Sequence, residues 1–269
     1  MSSTATHRPH PDIGTELVRE WSPEGELRAR VVLVHGLAEH SGRYERTGTL
    51  LAAAGLGVRS FDLIGAGGSG GRRWDIDDWD RYHAQIESHV AEARAGGLPV
   101  VLMGHSLGAT LVLEYLIAGR ASPDMAVASA LALVGGAAWQ RAVAPALAKM
   151  APTALIPNRI KGEELSRDPA VAEAYFSDPL VHPKSTPRLG LAFFRAMDHV
   201  VDQVATVVIP VLILHGGLDT ILPPQSTAFL SDLPGFERRL YPGLRHEILN
   251  EPEGPEVLAD IIDWVDARI

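Results

Sequence analysis

The stretch Leu98-Pro99-Val100-Val101-Leu102-Met103-Gly104-His105-Ser106-Leu107-Gly108-Ala109-Thr110-Leu111-Val112-Leu113 reads as strand, sharp turn and helix. The apolar run before Gly104 suits a buried strand, and the apolar segment after Gly108 suits a helix docked on a sheet. Ser106 sits between two glycines, each two residues away. A serine held in a tight strand-to-helix turn projects its hydroxyl only if those neighbours do not collide, so the pattern is that of a nucleophile elbow.

Working outward, Arg30-Val31-Val32-Leu33-Val34-His35-Gly36 is a second continuous β-branched run that stops at glycine. Such runs belong to parallel sheets covered by helices on both faces. A strand is expected at Val58–Asp62, a helix over residues 75–95, and further strands at Ala126–Val134, Val207–Gly216 and Phe236–Tyr241, the last being more polar and suited to an edge. Residues 255–269 carry apolar side chains at near-helical spacing. Alternation of strand and helix predicts a doubly wound α/β domain. Between about Ala137 and His199 the rhythm breaks, with prolines punctuating apolar segments and no further sheet expected. We read residues 1–136 and 200–269 as the core and 137–199 as an inserted helical cap.

Composition narrows the function classes. The 269 residues carry 24 Lys/Arg against 33 Asp/Glu, a formal charge of -9, with no basic block, which argues against nucleic acid as a partner. There is no cysteine, hence no disulfide or thiolate metal site. The first fourteen residues are polar and proline-bearing, and no later segment has the length of an apolar span, so a cytoplasmic protein is expected. The net charge predicts that contact with a membrane or micelle surface depends on exposed apolar cap residues rather than on charge.

A serine hydroxyl needs an imidazole to take its proton, and the imidazole needs a carboxylate to hold its tautomer. In this fold the chain order is Ser, acid, His. Asp219 lies just beyond the strand ending Leu214-His215-Gly216, and His246 lies beyond the last strand and is the only histidine after Asp219. Asp202 is the rival acid, whereas Asp263 falls too late, inside the terminal helix. Backbone N–H groups of Leu107 and Leu37 are the expected oxyanion donors. The Gly65–Gly71 run lacks the lysine of a phosphate loop. His35 and His215 lack metal-site spacing, so no cofactor or metal is expected.

Together, His35-Gly36-Leu37-Ala38-Glu39-His40-Ser41-Gly42-Arg43-Tyr44, Gly104–Gly108, Leu165-Ser166-Arg167-Asp168-Pro169-Ala170-Val171, Asp178-Pro179-Leu180-Val181-His182 and Tyr241-Pro242-Gly243-Leu244-Arg245-His246-Glu247 resemble the monoacylglycerol lipase family of capped α/β-hydrolases, over about residues 28–269. The resemblance implies Ser106 as nucleophile, Asp219 as acid, His246 as base, Leu37 and Leu107 as oxyanion donors, and a monoacylglycerol or similar small acyl ester as substrate. Three positions depart from the family. Ala38 stands where glycine is usual, Ile64 where arginine is usual, and Ala66 where histidine is usual. The last two remove polar side chains expected to brace loops near the site, which leaves loop geometry and substrate preference open at this point.

The cap carries Leu147, Met150, Leu155, Ile156, Phe176 and Phe194, more apolar side chains than a small subdomain can satisfy with its own core, and these are the candidate acyl-chain contacts. A broad-specificity esterase, lysophospholipase or amide hydrolase with the same triad is the alternative, because cap contacts read the leaving group and the triad does not. A non-enzymatic scaffold would have no reason to keep a serine, an acid and a histidine at all three loop positions. The sequence is silent on oligomeric state.

Overall fold

The computed structural model describes residues 2–269. The chain opens with an antiparallel hairpin of β1 (Thr4–His10) and β2 (Gly14–Trp21), with register running from Thr4↔Glu20 to His10↔Gly14. The polar, proline-bearing composition of the first fourteen residues gave no sign of this strand. Most of β1 is exposed, so its sequence carries no alternation of apolar and polar residues, and its order comes from the ladder with β2.

Then follow β3 (Ala29–Val34), α1 (Glu45–Ala53), β4 (Leu56–Phe61) and α2 (Asp80–Arg94). The helix expected from residue 75 starts five residues later for a physical reason. The buried Asp75 carboxylate is held by Arg188 Nε at 2.6 Å and the Thr186 hydroxyl at 2.8 Å, and Trp74 and Ile76 are packed in the core, so the connector is pinned to a later helix. The elbow stretch forms β5 (Val100–His105) and α3 (Leu107–Ile117), followed by β6 (Met125–Ser129). That strand ends sooner than expected because the chain turns at Ala130, whose φ is 45°.

The break in rhythm contains α4 (Ala138–Met150), β7 (Ile156–Pro157), α5 (Gly162–Leu165), α6 (Pro169–Ser177), β8 (Lys184–Ser185) and α7 (Pro187–Gln203). β7 and β8 form a short antiparallel ladder, sheet that the sequence did not lead us to expect there; two-residue strands are too short to leave a periodic signal. The boundary expected at 199/200 falls inside α7. This helix packs on both α3 and α4, and its Leu189 and Val200 belong to the main core cluster. The chain closes with β9 (Val211–Gly216), β10 (Phe236–Tyr241) and α8 (Gly254–Asp266).

The eight-stranded sheet has the order β1-β2-β4-β3-β5-β6-β9-β10, parallel from β4 to β10 and antiparallel at the N-terminal hairpin. Alternate residues of each central strand feed separate cores. Val32, Val34, Leu102 and Ile213 pack with α2, α3 and α7, while Val31, Leu33, Met103 and Leu214 pack with α1 and α8. Burial on both faces is why those strands read as unbroken apolar runs. The parallel register aligns the C-terminal ends of β3, β5, β6 and β9, where sheet-based sites gather their loops. The fold is that of an α/β-hydrolase with an inserted helical region. Among the described residues no helix is long and apolar enough to cross a membrane.

Candidate active site

Ser106 is the residue between β5 and α3, at φ 54° and ψ -118°. A side chain there is strained, and the turn closes only because its flanks are bare: a Cβ on Gly104 would run into the Gly108 carbonyl, and one on Gly108 into the Val34 carbonyl. The Ser106 N–H donates to Ser129 O at 2.9 Å, tying the turn to β6. The hydroxyl makes no hydrogen bond among the described residues, and it lines the same cavity as the His246 ring.

His246 Nδ1 donates to Asp219 Oδ2 at 2.8 Å, which leaves Nε2 without a hydrogen bond among the described residues. Asp219 is itself fixed from three directions. Its Oδ1 accepts the N–H groups of Ile221 and Leu222, both at 2.9 Å, and His215 Nε2 stands 3.3 Å from Oδ2 while donating to Leu222 O at 2.9 Å. Burial opposes the charge on Asp219, but the positive His246 ring and the hydrogen bonds from His215 and His246 outweigh it, holding the carboxyl well below the usual range. Burial likewise opposes protonation of His246, and Asp219 outweighs it, so its pKa is raised. The rival acid Asp202 is exposed near the end of α7.

The two expected oxyanion donors stand at the matching loops. Leu107 is the first residue of α3, where an N–H has no intrahelical acceptor, and neither it nor the Leu37 N–H is bonded elsewhere among the described residues. The loop that carries Leu37 is pinned by His35, whose Nδ1 donates to Gly36 O at 2.8 Å and whose Nε2 accepts the Leu63 N–H at 2.9 Å. Both ring nitrogens of His35 are therefore spent on backbone. In the Gly65–Gly71 loop the Gly68 N–H donates to Asp62 Oδ2 at 2.7 Å, and Arg73 donates to the Gly67 carbonyl at 2.5 Å, so that cation is spent on backbone.

Sequence reading missed a buried ionic network beside these groups. Arg43 donates twice to Glu247, at 2.7 and 2.6 Å, and once to Glu39 at 3.2 Å, while Glu39 Oε1 accepts from Gly36 N–H at 2.5 Å and from the Tyr44 hydroxyl at 2.6 Å. The guanidinium lies 4.8 Å from the centre of the Tyr175 ring on α6. One arginine thus joins the loop that carries Leu37, the loop of His246 and the cap. Next to it, the His105 ring is 5.0 Å from that of His246, and burial, with the His246 charge adding to it, pushes its pKa down to about 3, so it stays neutral. The signal was present in the charged motif Glu39–Arg43, but nothing local says that its partner is 204 positions away.

Ser106 and His246 open into a cavity of about 500 Å³. Its walls include Trp139, Val143, Ala144 and Leu147 from α4, Ile156 from β7, and Phe193, Phe194 and Met197 from α7. Of the expected acyl contacts, Leu147, Ile156 and Phe194 stand on this wall, whereas Met150, Leu155 and Phe176 lie outside it. Met150 is 84% exposed, and Phe176 packs edge-on against Tyr175 on the outer surface of the cap. An apolar residue on a short amphipathic helix does not announce which side it presents.

The family model described as "Serine aminopeptidase, S33" matches residues 25–253. The chain belongs to this family. It is a serine hydrolase. A monoacylglycerol lipase of Mycolicibacterium smegmatis is 34% identical over 285 residues, spanning 100% of each chain. The crystal structure of the Paleococcus ferrophilus monoacylglycerol lipase superposes with a TM-score of 0.85 at 32% identity, covering 94% of this chain and 98% of that one. A soluble variant of the Saccharomyces cerevisiae monoglyceride lipase, in complex with a substrate analogue, gives a TM-score of 0.90 at 24% identity over 100% and 95% of the two chains, a likeness of fold.

The departures from the lipase pattern now have physical accounts in this serine hydrolase. Ala38 adopts φ 70°, the left-handed region that favours glycine. Its methyl is buried with Leu165, Tyr175 and Val181, and its carbonyl accepts from His182 N–H at 3.1 Å, so the cap closes on it. Ile64 and Ala66 are packed in the main core. The loop is braced by Asp62 instead, which accepts from Ser41 N–H at 2.8 Å and the Ser41 hydroxyl at 2.6 Å, while the Ser69 hydroxyl donates to Asp62 O at 2.7 Å.

Proposed function

We propose that this serine hydrolase cleaves monoacylglycerols or similar small acyl esters, with Ser106, His246 and Asp219 as its triad. Ser106 Oγ attacks the ester carbonyl as His246 Nε2 takes the hydroxyl proton; the Leu37 and Leu107 N–H groups receive the oxyanion; and collapse of the tetrahedral intermediate passes that proton to the leaving alcohol. Water, activated by His246, then attacks the acyl-enzyme and releases the acid. The observation that carries this reading is the composition of one cavity: a serine and a carboxylate-held imidazole share its lining with apolar side chains of α4, β7 and α7. At about 500 Å³ it has the size of a site for one ligand of moderate length, which suits a single acyl chain better than three.

The lipase names of the Mycolicibacterium and Paleococcus relatives support the monoester reading, while the family description names a peptidase. An aminopeptidase needs an uncommitted carboxylate for the substrate ammonium. The two carboxylates on this cavity, Glu39 and Glu247, are both engaged by Arg43, which favours the ester. Residues 137–199 act on this reading as the cap, with Leu147, Ile156 and Phe194 as acyl contacts. Exposed Met150 and Leu155 meet the membrane or micelle that holds the substrate, and the enzyme is cytoplasmic, touching lipid only peripherally. A substrate panel tests it. Glyceryl monoesters are expected to turn over faster than lysophospholipids, amino-acid amides and emulsified triglycerides; comparable turnover of triglycerides removes the monoester preference, and faster turnover of amides moves the assignment to a peptidase.

A further inference from the structure

The chain beside the cavity wall is charged as well as apolar: Arg159 stands between the lining residues Asn158 and Ile160, and Lys184 precedes the lining residue Ser185. Between Ala142 and Gly162 the chain has three cations, Lys149, Arg159 and Lys161, and no carboxylate. All three lysines of the protein, Lys149, Lys161 and Lys184, fall between residues 137 and 199. That segment holds eight Lys/Arg against six Asp/Glu, and the rest of the chain sixteen against twenty-seven, so a cap of net charge +2 sits on a body of -11. The expectation drawn from the overall charge treats that charge as evenly spread, and it is not. The acidic body turns away from such a surface and presents the cap to it.

Lys149, Arg159, Lys161 and Lys184 are all exposed, and none makes an ion pair among the described residues. Exposed arginines of the body are neutralised in place, as Arg94 is by Asp124 and Arg268 by Glu237. The four cations also flank the apolar rim. Lys149 adjoins Met150, the β7–β8 ladder sets Lys184 opposite Pro157 beside the exposed Ile156, and Arg159 and Lys161 follow directly. Along α4, Trp139, Val143, Leu147 and Met150 form one exposed stripe, and the first three also line the cavity, so this surface is its entrance. An apolar patch edged with unpaired cations matches a lipid surface, with stems lying along the acyl region and charged ends among the headgroups.

We propose that the cap docks on anionic lipid surfaces, with Lys149, Arg159, Lys161 and Lys184 engaging the headgroups and Met150 and Leu155 inserting between them. The choice of lipid as occupant rests on the ester-hydrolase reading, since Trp139, Val143 and Leu147 of the patch also line the cavity proposed to take acyl esters. The test is co-sedimentation of the full chain with phosphatidylcholine vesicles, and with phosphatidylcholine vesicles containing roughly one third phosphatidylglycerol. Binding to the anionic vesicles is expected to be at least about tenfold tighter and to weaken as salt rises from about 0.05 to 0.5 M. Replacing the four cations together by glutamine is expected to lower partitioning by roughly 10²-fold while leaving hydrolysis of a soluble short-chain ester unchanged. Equal binding to the two vesicle types, or undiminished binding by the fourfold variant, overturns the proposal. So does self-association that the fourfold variant abolishes in the absence of any vesicle binding, because the acidic body of a second copy would then be the occupant. If the wild-type chain fails to hydrolyse the soluble ester, the ester-hydrolase reading fails separately from the docking result.

Discussion

His215 stands behind Asp219 and shares its carboxylate: His215 Nε2 is 3.3 Å from Oδ2, the oxygen that also accepts from His246. The same Nε2 donates to Leu222 O, so one buried ring fixes both the Asp219 carboxylate and the loop that carries it. Asp219→Asn is therefore expected to reduce kcat by at least about 10³-fold, because an amide no longer selects the productive His246 tautomer. His215→Ala acts only by letting the acid drift and is expected to cost roughly 10- to 10²-fold in kcat, with KM little changed. Single-turnover rates for the two variants check this. A larger loss at His215 than at Asp219 would contradict a positioning role for His215.

Strain at Ser106 gives a second prediction in which activity and stability move in opposite directions. Both Ser106→Ala and Ser106→Gly are expected to lose at least about 10³-fold in kcat. Alanine keeps the cost of φ 54°, whereas glycine removes a strain of about 1–3 kcal/mol and gives back about 0.5–1 kcal/mol of chain entropy. The glycine variant is thus expected to melt a few degrees above the alanine variant, at roughly 2–4 °C per kcal/mol for a chain of this size. Calorimetry on both decides it, and a lower melting temperature for glycine would mean that the elbow stores no strain.

The direction of the His246 shift sets the pH behaviour. Burial alone would lower its pKa; Asp219 reverses this and raises it, so the neutral, basic form is reached only above the ordinary value of about 6.5. kcat/KM is expected to climb with pH through that titration. Stability follows the opposite sign: the contribution of protonated His246 is complete below about pH 6.5 and is lost as pH rises through the raised native pKa. The depressed Asp219 contributes above about pH 3.9 and loses its contribution as pH falls below that value. In Asp219→Asn the strongest opposition to burial is gone and only the weaker pull of Glu247 and Glu39 remains, so the rising limb of the residual activity is expected at lower pH than in the wild type. A limb shifted upward would contradict Asp219 as the source of the charge.

These consequences were unevenly legible in the sequence. Val31–Val34 and Val100–Met103 announce themselves because both faces of a central parallel strand are buried. Ser106, Asp219 and His246 could be placed because each follows the end of a strand. β1 could not, since an exposed edge strand needs no apolar pattern. In the cap, side-chain type showed that residues such as Leu147 and Met150 wanted cover, but only the path of α4 puts the first on the cavity wall and leaves the second outside. Trp139 and Met197 were overlooked there for the same reason. The least legible part was Arg43, because an ion pair across 204 positions leaves no local trace.

That arginine supports the last prediction. Arg43→Met leaves Glu39 and Glu247 buried without their shared cation, and breaking a buried ionic arrangement by deleting one partner costs about 3–5 kcal/mol. Burial already pushes the Glu247 carboxyl above its ordinary range against the pull of Arg43; without the guanidinium it rises further. A carboxyl whose native pKa is raised favours folding below its unfolded value of about 4.3 and loses that contribution as pH rises through the native pKa. The deficit of Arg43→Met relative to wild type is therefore expected to be smaller near pH 5 than near pH 8. Adding Glu247→Gln to Arg43→Met should recover part of the stability at pH 8, where the single variant carries the unpaired charge. Denaturant melts of the three proteins at both pH values check this, and a deficit independent of pH would mean that Arg43 acts by packing against Tyr175 rather than by neutralising the two carboxylates.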